Sequence, residues 1–580
     1  MSSRPLFAPA RPLVAAAALL AACEPSPGPR TPPADAPAPP EAADDAPIRL
    51  EYVCGNRYVI INAEPRPITV RYEVRGTEER GIRRLAAALQ GDPPFSEVQF
   101  TVGTENPVAL YLGDSLLVVR PNEQTPCEPV VGAAAVAAAN GTAGEWTAPF
   151  SWPVVALHVA LLSNGKILSW GKAGDPTLWD PAGGQFTSLG NPYWMFCAGH
   201  SFLPDGRLLV AGGHISDDHG LPDAAYFNPS NGSWTKIASM RFGRWYPTNT
   251  TLANGEVLVI GGRDQAGKHV VVPEVWTGSK WRRLTTARIR LPYYPRMWVA
   301  PNGRVFYAGE QRVTRSLSTA GTGAWDTVAS RKFGVRDYGS AVMYLPGRIL
   351  YAGGGRTTRT AEIIDLNSAA PAWRYTGQMA FPRRHLNLTV LPTGEVLATG
   401  GSRGTGFNDV DLAVRVAEIW NPTTGTWTQV ASNAVNRTYH SSSLLMPDGR
   451  VLHTGSGDAI NVDGPAPNEL NAELYSPPYL FRGDRPAIAG APSSVSYGAT
   501  FSVDTPDAAA VAQISLIGLG SVTHAMDQGQ RFTWLTFSQQ AGRLSVTAPA
   551  SRNLAPPGYY MLFLVNGNGV PSVARIIRLQ

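Results

Sequence analysis

The 580-residue chain has little charge, few cysteines and almost no long apolar run. Residues 13–22 (LVAAAALLAA) form a continuous apolar stretch near the start of the chain. That stretch falls well short of the ~20 residues a mature membrane helix needs, so no transmembrane span is expected. Charged residues make up 16% and the net charge is +5, with no concentrated basic stripe, which excludes a nucleic-acid-binding protein. The cysteines number four and none sits in C-x-x-C spacing, which excludes a structural zinc site. A D-x-D-x-D-G run for calcium is also missing. Glycine (59) and proline (50) are abundant instead, and 44% of residues are hydrophobic. That balance suits a well-packed β protein whose many short strands need many tight turns.

The length exceeds one compact domain. Arg4 and Arg11 precede the apolar run and Cys23 follows it, the pattern of a signal peptide over 1–22. Leu20-Ala21-Ala22-Cys23 resembles the lipobox of bacterial lipoproteins, which predicts an exported chain anchored to a membrane of the cell envelope by lipid on Cys23; an ordinary signal peptide is the alternative. Residues 24–47 carry nine prolines and form a stiff tether. Alternating runs over 48–129 read as a small β domain, with one short helix over 82–89. Cys54 and Cys127 bracket that domain, and export predicts a disulfide between them. Cys197 is left without a partner. An Ala/Gly-rich linker covers 130–147.

From 148 to 482 the sequence repeats. A turn followed by an apolar strand recurs as NGKILSWG, DGRLLVAGG, NGEVLVIGG, NGRVFYAG, PGRILYAGG, TGEVLATGG and DGRVLHTG. The turn glycines are Gly165, Gly206, Gly255, Gly303, Gly347, Gly394 and Gly449, spaced 41, 49, 48, 44, 47 and 55 residues apart. A period near ~50 residues with strand–turn–strand units between predicts an all-β, seven-bladed kelch-type propeller. The strand in NAELYSPPYL is expected to close the ring against the first blade. Five alternating strands over 483–580 predict an immunoglobulin-like sandwich.

Each blade's innermost strand points toward a central channel, so equivalent residues form a ring at its mouth. Nine residues before each turn glycine, from the second blade on, stand Cys197, Tyr246, Tyr294, Tyr338, His385 and His440, with Ala156 in the first blade. Core packing favours aliphatic or small residues at such places. Imidazole with phenolic oxygen suits Cu(II). Polar side chains around a water-filled channel are the alternative on spacing alone.

Four segments carry a resemblance. FCAGHSFLPDG, RWYPT, NRTYHSSSLLMPDGRV and SVTHAMDQGQRF resemble segments of the galactose oxidase and glyoxal oxidase family of copper-radical oxidases, as does the ending PPGYYMLFLVNGNGVPSVA. The resemblance covers roughly 150–580. It implies one copper ion held by Tyr246, Tyr439, His440 and His524, and a thioether between Cys197 and Tyr246 that forms a tyrosyl radical cofactor. It further implies that Tyr439 takes the substrate proton, that Tyr246 with Cys197 takes a hydrogen atom, and that dioxygen leaves as hydrogen peroxide. The expected substrate is a small primary alcohol, aldehyde or carbohydrate, and the protein is expected to be a monomer. RWYPT and PYYPRMWV are closer to the glyoxal oxidase branch. The loop GGRDQAGKH lacks the tryptophan that galactose oxidase has there, which leaves Trp245 and Trp194 as candidates to stack on the modified ring. Two rivals are a non-catalytic kelch-propeller module that binds carbohydrate or protein, and a propeller sialidase, whose S-x-D-x-G-x-x-W turns are missing.

Overall fold

The computed structural model describes residues 47–54, 56–85, 96–122, 140–461 and 464–580. The signal segment, the lipobox with Cys23 and the Cys54–Cys127 pairing lie outside what is described. No helix among the described residues is long and apolar enough to cross a membrane.

Short strands separated by glycine turns build the whole molecule. In the N-terminal unit, Ile48–Cys54, Arg57–Asn62 and Ser96–Thr101 make one sheet, and Arg80–Leu85, Ile68–Val74, Val108–Leu112 and Ser115–Arg120 make another. Their apolar faces enclose Tyr58, Ile60, Val70, Tyr72, Phe100 and Leu110. The helix expected over 82–89 is corrected as far as it is described: 82–85 belong to the strand Arg80–Leu85, paired with Ile68–Val74. Its every-other-residue exposure is the period of a strand, not of a helix.

Seven blades follow, each with four antiparallel strands, the first and last extended by strands from elsewhere in the chain. The innermost strands are His158–Leu161, Gly199–Phe202, Thr248–Thr251, Arg296–Val299, Ser340–Leu345, Asn387–Val390 and Ser441–Leu445. All seven turn glycines have φ between +75° and +88°, the left-handed region open to glycine at no steric cost. That requirement is why the turn recurs so faithfully.

The expectation for NAELYSPPYL is corrected. Asn471–Ser476 is the third strand of the seventh blade, between Val451–Gly455 and Glu145–Trp146, with Phe150–Ser151 on the same edge. The outer strand of the last blade therefore comes from ahead of the first, and joins the two ends of the repeat within one sheet. At the channel, Ser442 Oγ donates to Leu157 O at 2.9 Å, linking the last blade to the first. The interaction is once per molecule, so no period announces it.

The C-terminal unit packs a five-stranded sheet, whose long strands are Val511–Gly518 and Gly558–Asn566, against the three strands Thr500–Asp504, Arg543–Thr547 and Phe537–Gln540. It does more than sit beneath the propeller. A hairpin of Ser521–Thr523 and Met526–Asp527 adds to the first blade, with His158 opposite Thr523 and Ala160 opposite Ser521. Leu519, Val522 and Phe532 join the largest apolar core of the propeller.

Candidate metal centre

Six of the seven ring positions share a backbone conformation that the sequence does not announce. Cys197, Tyr246, Tyr294, Tyr338, His385 and His440 have φ of +63°, +66°, +44°, +53°, +61° and +67°. A side chain in this region costs roughly 1–2 kcal/mol, so the surroundings must hold it. Part of the hold is hydrogen bonding from blade to blade: Tyr246 N–H donates to Cys197 O, and Tyr294 N–H to Tyr246 O, both at 3.0 Å. Another part is a buried arginine just upstream. Arg244 donates to Gly261 O and Val272 O and pairs with Glu274 at 3.1 Å. Left-handed backbone turns these side chains inward at the start of the strand.

The turn brings the expected ligands together. Tyr246 Oη and Tyr439 Oη lie 2.6 Å apart. The Tyr439 and His440 rings stack at 3.9 Å, and the His440 and His524 rings meet edge to face at 4.7 Å. His524 reaches the site from the tip of the C-terminal hairpin, with its ring 4.5 Å from that of Tyr246. His524 and Ala525 are also left-handed, as a tight tip requires.

Hydrogen bonds then decide which imidazole nitrogens face the centre. His440 Nδ1 donates to Gly457 O and His524 Nδ1 bonds Thr523 Oγ1, each at 2.7 Å. Both Nε2 atoms are buried and have no hydrogen-bond partner. An orphaned buried acceptor is uncommon, and two of them beside a pair of phenols form a donor set for a metal. Burial lowers the pKa of His440 to about 3 and that of His524 far below the usual range, so both rings are neutral, and the carbonyl on Nδ1 of His440 leaves its Nε2 with the lone pair. It also raises Tyr246 and Tyr439 well above an ordinary phenol. A cation between them would reverse that last effect. Among the described residues, no cluster of three or more His, Cys, Asp or Glu side chains offers a competing site. Two nitrogens with two phenolic oxygens fit copper(II).

Cys197 is a free, fully buried thiol, packed with Leu157, Phe196, Trp245, Tyr246 and Tyr294. Burial raises its pKa, and the thiol packs in one cluster with the Tyr246 ring. Trp245 stacks flat on Tyr246, with centroids 3.8 Å apart and planes 11° from parallel, and its Nε1 donates to His214 Nδ1. Trp194 is 45% exposed and meets His214 edge-on instead. Of the two candidate tryptophans, Trp245 is the one on the ring.

The remaining ring members pack around the centre. Tyr294 stacks on His524 at 4.4 Å and donates to Ala198 O, and His385 Nε2 bonds Phe407 O. Phe407, 4.9 Å from Tyr439, escaped the sequence reading. Its signal was the longest repeat spacing, 55 residues, which reflects the extended loop that carries it. A cavity of about 20 Å3 opens beside Tyr246 and His524, bounded by Tyr293, Arg296, Glu310 and Tyr338.

Comparison with known proteins agrees with this architecture. Residues 336–479 match the glyoxal oxidase N-terminus family, and 485–579 match the galactose oxidase-like early set domain. A galactose oxidase of Gibberella zeae is 30% identical over 490 residues, covering 75% of this chain and 70% of that protein. An aldehyde oxidase GLOX of Vitis pseudoreticulata is 30% identical over 433 residues, covering 66% of this chain and 82% of that one. The solved structure of a fungal alcohol oxidase of the AA5 family, in complex with copper, superposes with a TM-score of 0.69 at 26% identity, covering 76% of this chain and all of that one. With its propeller, its C-terminal unit and 30% identity extending across both, the chain belongs to the galactose oxidase and glyoxal oxidase family.

Proposed function

We propose that the protein is a copper-dependent oxidase that converts a primary alcohol to the aldehyde, or a hydrated aldehyde to the acid, while dioxygen becomes hydrogen peroxide. The observation that carries this is the pair of orphaned Nε2 atoms, on His440 and His524, facing the Tyr246–Tyr439 phenol pair. These four side chains would hold one copper ion. When bound, copper supplies Lewis acidity toward the substrate oxygen and a one-electron redox change.

The chain's own groups supply the rest. Tyr439 Oη, beside Tyr246 Oη, accepts the substrate hydroxyl proton. Tyr246, joined through a ring carbon to Cys197 Sγ, takes a hydrogen atom from the substrate carbon. The sulfur spreads the unpaired electron and makes the phenoxyl easier to form. Trp245 covers one face of that ring and keeps water from it. Gly457 O holds His440 in the tautomer that presents Nε2, and Thr523 Oγ1 orients the His524 ring. In balance, RCH2OH and O2 give RCHO and H2O2.

The reading extends to location: residues 1–22 direct export and Cys23 carries a lipid that holds a monomeric enzyme at the cell envelope. Cys23→Ser should release the protein from membranes, and two forms that both fractionate as soluble would remove the anchor. For the enzyme, the test is copper reconstitution followed by peroxide detection over small aldehydes, primary alcohols and sugars. One bound copper and peroxide with at least one substrate class is expected. Copper binding without peroxide would leave a non-catalytic binding module, and no copper binding would remove the metal centre.

A further inference from the structure

Three ring residues are held by backbone hydrogen bonds from one blade to the next, whereas Tyr338 N–H donates to the Glu310 carboxylate at 3.4 Å. Tyr246 N–H donates to Cys197 O, Tyr294 N–H to Tyr246 O, and His385 N–H to Tyr338 O. In each case a left-handed residue is received by the carbonyl of its left-handed counterpart one blade earlier. Cys197 has no such predecessor, since Ala156 is not left-handed. Its N–H donates instead to a side chain, His158 Nε2, at 3.1 Å.

His158 opens the first blade's inner strand, is fully buried, and lies parallel to Trp170 with centroids 4.7 Å apart. Because its Nε2 accepts, its proton is on Nδ1, which donates to His200 Nε2 at 3.1 Å. His200 then carries its proton on Nδ1 and donates to Ser521 Oγ at 2.5 Å, and Ser521 passes its own proton to His200 O at 3.1 Å. Every bond points the same way, so each tautomer is determined by its neighbour. Burial keeps both imidazoles neutral, with His200 lowered to about 3. Ser521 begins the hairpin strand whose tip delivers His524. One line of hydrogen bonds therefore joins the first blade, the Cys197 peptide and the hairpin.

We propose that His158 is a positioning residue: it holds the Cys197 peptide so that Sγ meets the Tyr246 ring, while His200 and Ser521 hold the tautomer that lets it do so. This rests on the reading above that the thioether forms. In that step the Cys197 S–H and a Tyr246 ring C–H break and an S–C bond forms. The two hydrogens, with their electrons, reduce one dioxygen to hydrogen peroxide. A buried N–H in a strained conformation stays put only while it has an acceptor, and the first blade supplies that acceptor from a side chain because its backbone does not.

The test compares the wild type with His158→Phe, which keeps the stack on Trp170 and removes both nitrogens, and with His158→Gln, which restores an acceptor and a donor. In metal-free protein, hydrogen exchange at the Cys197 amide should be about tenfold faster in His158→Phe and near wild type in His158→Gln. After copper loading in air, with copper content equal in all three, mass analysis should show the Cys197–Tyr246 cross-link forming about tenfold more slowly in His158→Phe, with rescue by His158→Gln. Ser521→Ala is the milder variant should His158→Phe fail to fold, and it should slow the cross-link about twofold. Wild-type exchange and wild-type cross-linking in His158→Phe, or in Ser521→Ala if that variant must stand in, would overturn the proposal. A wild type that never cross-links would overturn the thioether reading itself and take the proposal with it. That outcome is recognisable because the wild type, not the variant, fails.

Discussion

Two sets of residues lie near the channel mouth, one nearly identical in four blades and the other changing residue type around the ring. The first is a buried arginine–glutamate clasp: Arg244–Glu274, Arg336–Glu362, Arg383–Glu418 and Arg437–Glu473, at 3.1, 2.8, 2.7 and 3.2 Å. Each arginine also donates to the carbonyl of a glycine at or just beyond the end of the second strand of its blade: Gly261, Gly353, Gly400 or Gly455. The second is the ring, which runs through cysteine, three tyrosines and two histidines. A part made the same way four times serves the blade. A part that varies at a constant backbone conformation serves the centre. The seventh blade links the two sets: two residues lie between Arg437 and His440, where one lies between Arg244 and Tyr246, Arg336 and Tyr338, and Arg383 and His385. The additional residue is Tyr439, which is how one blade gives two side chains to the site.

Breaking the clasp should do the greatest damage to folding. Arg383→Ala leaves Glu418 buried without its cation and should cost about 3–5 kcal/mol, read as a large drop in the thermal midpoint. If it unfolds normally, the clasp is not what supports the left-handed ring. Removing a proposed copper ligand should do the reverse, sparing the fold and emptying the centre. His524→Ala is expected to weaken copper binding at least about a hundredfold by titration, with the metal-free midpoint near wild type. Full copper occupancy in that variant would remove His524 from the ligand set.

A smaller effect on binding separates the radical partner from the ligands. Cys197→Ser should keep copper and lose about tenfold or more in turnover, because in the proposed centre sulfur tunes the tyrosine without holding the metal. In the copper-loaded, aerobically matured wild type, the peptides bearing Cys197 and Tyr246 should run as one species that resists reduction, lighter than their sum by two hydrogens. Separate, unmodified peptides would end the radical mechanism. The mildest change is Trp245→Leu, which removes a flat stack worth about 0.5–1.5 kcal/mol. It should shorten the lifetime of the oxidised enzyme's optical signal while copper content and fold persist. An unchanged lifetime would make Trp245 packing alone.

The blades were legible because they repeat. Seven glycine turns, each needing a left-handed residue, state the period, and counting back from them reaches six side chains that share one conformation. The helix expected over 82–89 went wrong for a local reason, since its described part, 82–85, follows the alternation of an edge strand. Phe407 and His158 were missed for the opposite reason. Neither occupies a counted position, and each acts through a contact made once.

By itself, the sequence determined the all-β class, the seven-fold period and the residue types at the channel mouth, because each depends on neighbours close along the chain. Tertiary structure alone decided that the strand Glu145–Trp146 completes the last blade and that Trp245 rather than Trp194 lies on Tyr246. It also decided that a first-blade histidine receives the Cys197 amide. These contacts join segments far apart in the chain through unique geometry, and a contact made once leaves no periodic trace.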